Sequence, residues 1–473
     1  MLFTSKKITS FIVSLALFME AVDTTVINTA IPAMSQSLHV HPVDLKIALI
    51  SYLLSLAIFI PISGWVSDKY GIKKVFLSAI AFFTLSSIWC GFAHNLIELV
   101  IARTLQGIGG SMMLPVGRLI LVRTFERHEL VTTMSRVVMV AALGMMLGPL
   151  LGGFITHYLS WHWIFWVNVP VGILALILGV ISLENTARKK MPRLDKLGFI
   201  LFGLGLAGFT FGFSALSETA VPNTMAWFII FTSVLFLLSY IWHSKQILHP
   251  IVKTELFQSR TFRISIIGNL FSRTGFGGVP FLLPLLMQIS LGFSPQLSGM
   301  LLAPTALGVL LVKPFSIRLL RWMGYKRLLI YNTVLVGISL WAFMIIDEGT
   351  PNYVIACLTF MFGFLISLQY TGMNSLAYAD IKHDDLGSAT SIISTMQQLA
   401  QSFGVAVGAL LLRFFTPAIF PGFHLTTHVF HQTFFAMGVF TFASIFIFVR
   451  LKQEDGSQMI KRDAKEALGV NAS

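Results

Sequence analysis

The sequence predicts an all-α polytopic membrane protein of fourteen transmembrane helices, built as two six-helix bundles plus two inserted helices. Three observations carry that prediction. Of 473 residues, 55% are hydrophobic and 11% charged, with a mean hydropathy of +0.80; a soluble globular chain carries about 25% charged residues, so that class is excluded. Apolar runs of about 20 residues, enough to cross a bilayer, recur between charged or Gly/Pro-rich breaks. A loop also recurs: Asp68-Lys69-Tyr70-Gly71-Ile72-Lys73-Lys74 after the second run and Arg321-Trp322-Met323-Gly324-Tyr325-Lys326-Arg327 after the tenth, with glycine and two basic residues at the same offsets.

In chain order the runs cover 8–31, 45–66, 75–93, 96–122, 131–157, 163–183, 197–216, 225–243, 262–289, 296–316, 327–346, 352–378, 388–413 and 428–449. The repeat pairs the first six with the last six, giving bundles over 1–183 and 262–449, two inserted helices with linkers over 184–261 and a tail over 450–473. Lys6 and Lys7 before the first run resemble the start of a signal peptide. No small-residue cleavage site follows and Glu20 and Asp23 interrupt the run, so the expectation is an uncleaved helix.

The net charge of +13 would suggest nucleic acid as partner in a soluble protein; here its distribution reads as topology. If the N-terminus is cytoplasmic, 27 of the 33 Lys and Arg residues fall on segments expected inside. Lys46 and Arg413 lie near outer ends, and Arg103, Arg118, Arg273 and Lys313 lie within helices. An even number of crossings then puts both termini in the cytoplasm. Cys90 and Cys357, far apart in apolar runs, read as small buried side chains and not as a disulfide or metal framework.

Four segments now combine. Val22-Asp23-Thr24-Thr25-Val26-Ile27-Asn28-Thr29-Ala30-Ile31-Pro32 closes the first helix, and Gly64-Trp65-Val66-Ser67-Asp68-Lys69-Tyr70-Gly71-Ile72-Lys73-Lys74 links the second to the third. Arg103-Thr104-Leu105-Gln106-Gly107 lies in the fourth, and Gly144-Met145-Met146-Leu147-Gly148-Pro149-Leu150-Leu151-Gly152-Gly153 in the fifth. With Trp161 to Gly172 at the start of the sixth, these resemble the major facilitator superfamily in its 14-helix drug:proton antiporter branch, of EmrB/QacA type and nearest to MdtD-like bacterial multidrug transporters. The resemblance covers nearly the whole chain. It implies a major facilitator fold in the bacterial inner membrane and a proton gradient as driving force with no cofactor. It also implies small-molecule substrates, with a periplasmic adaptor and an outer-membrane channel as partners of some members.

In the loop after the second helix, Gly64 and Gly71 are expected to permit close approach and a tight turn, while Asp68 can accept bonds from a helix N-terminus or pair with a basic residue. The resemblance gives Asp68, Lys73 and Lys74 a gating role; in the second copy Arg321 replaces the acid, which argues against a symmetric latch. Gly144, Gly148 and Gly152 repeat every four residues on one helix face, and Pro149 removes a backbone donor. The resemblance reads these, with Gly153, as an antiporter motif at the interface of the halves.

Charge inside the membrane is the sharpest functional signal, since an ionised residue at mid-bilayer costs about 2.5 to 3.5 kcal/mol. Glu20 and Asp23, three residues apart, share a helix face. Asp23 lies about 22 Å from the cytoplasmic end of its helix, and Arg103, on a helix running the other way, about 20 Å from the same face. The depths coincide. Asp23 is the expected proton carrier, Glu20 a second titratable or cation-binding group and Arg103 the switching partner; a static ion pair is the alternative.

Arg273, near midplane in the ninth helix, can meet an anionic substrate, a Gln partner or neither. Asn28, Gln106, Asn269, Gln369, Tyr370, Asn374, Gln397 and Gln401 are the remaining candidates for a cavity wall, though polar groups also join membrane helices. Lys313, Arg118 and Arg413 are expected to snorkel. His424, His428 and His431 read as interfacial residues and not as a metal site, and Asp384-Asp385 as a solvated loop.

Without a Gly-x-x-x-x-Gly-Lys-Ser/Thr phosphate loop, ATP-driven pumping is not expected, and no Ser/His/Asp or paired-metal constellation survives the topology. A proton-coupled exporter working by alternating access is the leading expectation. Export of one metabolite, such as a siderophore or a citrate-like anion, is the alternative, and a non-transporting membrane sensor is the alternative of another class.

Overall fold

The computed structural model describes residues 2–184, 191–216, 221–382, 385–416 and 425–456. Its regular structure is helical throughout the described residues. Thirteen helical segments are long and apolar enough to cross a membrane, and a fourteenth, Pro295–Leu311, is apolar but shorter. We label them α1 (Lys6–Thr29), α2 (Lys46–Tyr70), α3 (Ile72–Cys90), α4 (Leu96–Thr124), α5 (Thr132–Tyr158), α6 (Trp163–Ser182), α7 (Lys196–Ala215), α8 (Asn223–Ser244), α9 (Arg260–Ser290), α10 (Pro295–Leu311), α11 (Lys313–Ile345), α12 (Asn352–Ala377), α13 (Leu386–Phe415) and α14 (Thr427–Phe448).

Local chemistry explains where these helices start and bend. Asn95 caps α4 by accepting from the Glu98 amide, and Ser294 does the same for Leu297 in α10. In α2 the helix tightens into a 3-10 turn over Ile60–Ile62, where Pro61 lacks the donor that an α-helix needs. In α9 regular helix stops at Phe276 and resumes at Val279. Gly404 of α13 packs on the backbone of Gly277 and Gly278 at this break, and Gln401 Nε2 donates to the freed Gly277 carbonyl at 2.8 Å. A broken membrane helix is tolerated because a neighbour satisfies the exposed group.

The repeated loops share a backbone conformation. Gly71 has φ +97° and Gly324 φ +70°, both in the left-handed region that disfavours a Cβ. Gly64 does something else: it lies within a helical turn with nothing within 4 Å of where a Cβ would sit, so the expected close approach there is absent.

The first six and last six helices meet along α2 with α13 and along α5 with α10, and α1 reaches the broken half of α9. At the end away from the basic clusters, Gln288 Nε2 donates to the Thr29 carbonyl at 2.9 Å and Tyr158 Oη to Gln296 Oε1 at 3.2 Å. A continuous apolar core, including Val26, Ile27, Ile31, Phe281, Leu282 and Leu285, closes that distal end. Helices α7 and α8 lie against the α2–α13 seam, where Phe202, Leu206 and Tyr240 pack with Ala57, Ile392 and Ile393. Asp195 fixes the pair by accepting from Gly198 N and bonding His243 Nε2, each at 2.8 Å.

The glycine row of α5 is placed differently from the expectation. Cβ atoms at Gly144, Gly148 and Gly152 would overlap the Phe18 carbonyl, Thr25 Oγ1 and the Val26 carbonyl, so this ridge seats α1 of the same half. Contact with the other half falls to Pro149 and Gly153, which press against Gly299 and Pro295 of α10. A period of four marks a face but not its neighbour. Cys90 is buried, but Cys357 lies exposed on the apolar outside of α12.

Candidate functional site

Asp23, in the last third of α1, is fully buried, and its carboxylate accepts from three donors. Arg103 Nη1 reaches Oδ2 at 2.6 Å, while Gln106 Nε2 and Asn168 Nδ2 reach Oδ1 at 2.8 and 2.9 Å. Arg103 and Gln106 sit one turn apart on α4, so the same helical face presents both, and Arg103 Nη1 also donates to Gln106 Oε1 at 2.7 Å. Ser87 of α3 takes bonds from Gln106 and Asn168 at 3.2 Å and donates to the Phe165 carbonyl at 2.9 Å. Four helices of the first half are joined by one network. The guanidinium also lies over the Tyr52 ring, 4.1 Å from its centroid, a cation–π contact that adds to the charge pair.

The sequence expectation thus finds Asp23 and Arg103 in contact. Asn168 and Ser87 escaped it. Asn168 carried a signal, a lone amide in the apolar stretch from Ile164 to Val171, whereas Ser87 carried none. Glu20 stays outside the network: its Oε2 is buried without a hydrogen bond, and the charges acting on it are Arg118 and Asp23. Arg118 therefore serves an electrostatic neighbour besides any reach to the interface.

A cavity of about 30 Å³ adjoins this network at the seam of the halves, large enough for a water or two. The first half contributes Thr24, Asn28, Tyr52 and Arg103, and the second contributes Gly277, Pro280, Phe281 and Gln401 from the break in α9 and from α13. Arg103 belongs to both the buried ion pair and the cavity wall.

The second half carries a different polar chain. Arg273 Nε donates to Asn269 Oδ1 at 2.6 Å, and its guanidinium lies 3.7 Å from the Tyr370 ring centroid. Asn374 Oδ1 accepts from Gln397 at 2.8 Å and from Asn269 at 3.3 Å. Among the described residues no carboxylate pairs with Arg273. Gln369 stands apart: fully buried, it accepts from Asn332 at 2.8 Å and donates to Thr333 at 2.9 Å, joining α12 to α11 away from the cavity.

At the basic end, Asp68 accepts from Arg123 Nη2 at 3.1 Å, linking the α2–α3 turn to the end of α4. Lys73 Nζ donates to the Val180 carbonyl of α6 at 2.8 Å, and Lys74 is exposed. Trp65 Nε1 donates to the Pro192 carbonyl at 2.8 Å, holding the segment that leads into α7. Lys313 Nζ reaches Thr371 at 3.2 Å, and Arg413 buries an Nη1 that lacks a hydrogen bond. His431 Nε2 lies 3.0 Å from the Ile346 carbonyl and His428 is exposed, while His424 and Asp384 fall outside the described residues. Asp385 is paired with Lys253 Nζ at 2.9 Å and is more than a solvated loop residue.

A family model described as Major Facilitator Superfamily matches residues 13–405 and 266–470. The chain is 36% identical over 452 residues to a probable transport protein HsrA of Haemophilus influenzae, covering 96% of this chain and 97% of that one. It is 34% identical over 454 residues to a putative multidrug resistance protein MdtD of Enterobacter sp. (strain 638), covering 95% and 96%. Among solved structures, an auto-inhibited peptide transporter of the POT family superposes with a TM-score of 0.69 at 15% identity, over 94% of this chain and 98% of that one. That likeness concerns the fold.

Proposed function

The chain belongs to the major facilitator superfamily and is a multi-pass membrane transporter, and we propose that it exchanges protons for small, lipophilic or cationic compounds, exporting them by alternating access. One observation carries the proposal: Arg103 holds the buried Asp23 carboxylate and at the same time lines the cavity between the halves. Protonation of Asp23 breaks the ion pair and frees the guanidinium toward the cavity, where it repels a cationic occupant; re-forming the pair expels the proton. Proton and substrate are thereby coupled through a single side chain. Glu20, buried in part and unbonded at Oε2, acts as a second titratable or cation-binding group. The curated relatives named for multidrug resistance support the substrate class.

In this reading the bundle of residues 1–183 rocks against that of 262–449, while 184–261 supplies the two helices that cover their seam. The distal seal at Gln288–Thr29 and Tyr158–Gln296 is the gate that opens for release. The basic bias of the loops supports cytoplasmic termini, with Asp68 and Lys73 bracing the inner ends of α3, α4 and α6 and Lys74 adding basic charge there.

Arg273 favours a second reading. A half-buried cation to which no described carboxylate is paired suits an anionic metabolite, such as a siderophore or a citrate-like anion. Both readings are tested in proteoliposomes loaded with a pH-sensitive dye. A panel of cationic drugs should move protons under the first, and a single chelating anion under the second. No proton movement with any compound overturns both.

A further inference from the structure

A second cavity, of about 210 Å³, opens on the side of the molecule where the basic ends of α9 and α14 meet. Its lining divides by chemistry: Arg260, Arg263 and Arg450 at the basic end, and Ile264, Ile267 and Ile447 toward the membrane interior. It takes no part in the central site. Below it the two helices are zipped together, with Gly268 against Phe448 and Ser272 Oγ bonded to Ser444 Oγ at 3.0 Å, so the groove has a rigid floor.

Its charges are unequally engaged. Arg260 Nη2 is paired with Asp455, which is 10% exposed. Among the described residues Arg263 Nη1 donates to the Phe257 carbonyl, at 3.1 Å, an acceptor without formal charge. Arg450 is exposed, and no carboxylate among the described residues pairs with it or with Arg263. Two unneutralised guanidiniums thus flank a cavity far larger than the ~10–15 Å³ that one water requires. Ile267 of this lining is exposed, as are Phe446 and Val449, the chain neighbours of Ile447 and Arg450, surfaces suited to acyl chains and not to water.

We propose that this groove binds the headgroup of an anionic phospholipid, its phosphate between Arg263 and Arg450 and an acyl chain along Ile264, Ile267 and Ile447. Basic pockets between membrane helices on the cytoplasmic side suit anionic headgroups, each nearby basic residue contributing about fivefold in affinity. A phosphate in free solution would satisfy the guanidiniums equally well but has no use for the isoleucine wall. The lipid satisfies both.

The test is lipid binding to the purified full-length protein in detergent, followed by native mass spectrometry with phosphatidylglycerol, phosphatidylcholine and glycerol 3-phosphate as probes. Phosphatidylglycerol should bind, and Arg263→Gln with Arg450→Gln should weaken it about thirty-fold. The charge-conserving pair Arg263→Lys with Arg450→Lys should stay within a few-fold of the parent. Both arginines lie on the outside, and an unchanged melting temperature of each double variant certifies its fold. Equal binding by the glutamine variant or by phosphatidylcholine overturns the proposal, and glycerol 3-phosphate binding as tightly as the lipid makes it a solution-anion site instead.

Discussion

Asp23 Oδ2 and Arg103 Nη1 lie 2.6 Å apart with 0% and 1% of their side chains exposed, so each supplies the opposite charge that offsets the cost of burying the other inside the membrane. Asp23→Asn tests whether the pair is a proton switch. The amide oxygen can still accept from Gln106 and Asn168, but its NH2 faces the Arg103 donor, which should lower stability by about 1.5 to 3 kcal/mol without preventing insertion. Substrate-driven proton flux in proteoliposomes should vanish. Full proton-driven exchange by a correctly folded variant would leave Asp23 a structural residue.

Arg103 separates charge from geometry. One nitrogen serves both Asp23 and Gln106 while the guanidinium plane covers Tyr52, a combination an ammonium cannot reproduce. Arg103→Lys should therefore fold yet lose at least tenfold in transport rate. Arg103→Ala, which strands the carboxylate, should lose about 3 to 5 kcal/mol and express poorly. Thermal melting of the purified variants beside transport assays distinguishes the two; equal transport by the lysine variant would refute the geometric requirement.

The meeting of Asp23 and Arg103 was legible in the sequence because helical rise converts residue number into depth, and two opposite charges at one depth have few alternatives. Asn168 and Ser87 were not, because their roles depend on how α3 and α6 pack around α1, and rise says nothing of rotation. The same gap explains the α5 glycines. Their spacing announced a close-packed face, but α1 and α10 could each have occupied it, and only the packing shows that Gly144, Gly148 and Gly152 take α1 while Gly153 takes α10. Gln369 looked like Gln106 in sequence, yet one joins the ion-pair network and the other ties α12 to α11.

The two repeated loops give a stability prediction with an internal control. Gly71 and Gly324 adopt positive φ, so alanine at either should cost about 1 to 2 kcal/mol. Gly64, the first residue of the motif segment that contains Gly71, has no positive φ and sits in a helix with open space around it; Gly64→Ala should be neutral or stabilising by up to about 1 kcal/mol. Melting temperatures of the three variants in one detergent decide it. Equal loss at all three would mean that the loop tolerates no Cβ for a reason other than backbone strain.

Packing of α5 on α1 predicts a coupled pair. A Cβ at Gly148 overlaps Thr25 Oγ1, so Gly148→Ala should destabilise by about 1 to 3 kcal/mol. Thr25→Ala removes the offending hydroxyl and should recover part of that loss, with a coupling of about 0.5 to 3 kcal/mol in a double-mutant cycle. Strict additivity would place the contact elsewhere.

Arg273 decides between the two substrate classes. Its guanidinium is held by Asn269 on one side and the Tyr370 face on the other, and neither neutralises it. A cationic substrate gains nothing from such a group, whereas a carboxylate gains a charge-assisted bond to a donor already partly desolvated and oriented. Arg273→Gln should therefore leave cationic drug transport within about twofold while reducing transport of an anionic chelator at least tenfold, a difference of about 1.4 kcal/mol or more. Arg273→Lys keeps the charge but loses the planar contact with Tyr370, so it should fall between them for the anion. If Arg273→Gln instead lowers both classes alike, the chain from Arg273 through Asn269 and Asn374 to Gln397 works as scaffold for α9, α12 and α13, and substrate charge is read by Asp23 and Arg103 alone.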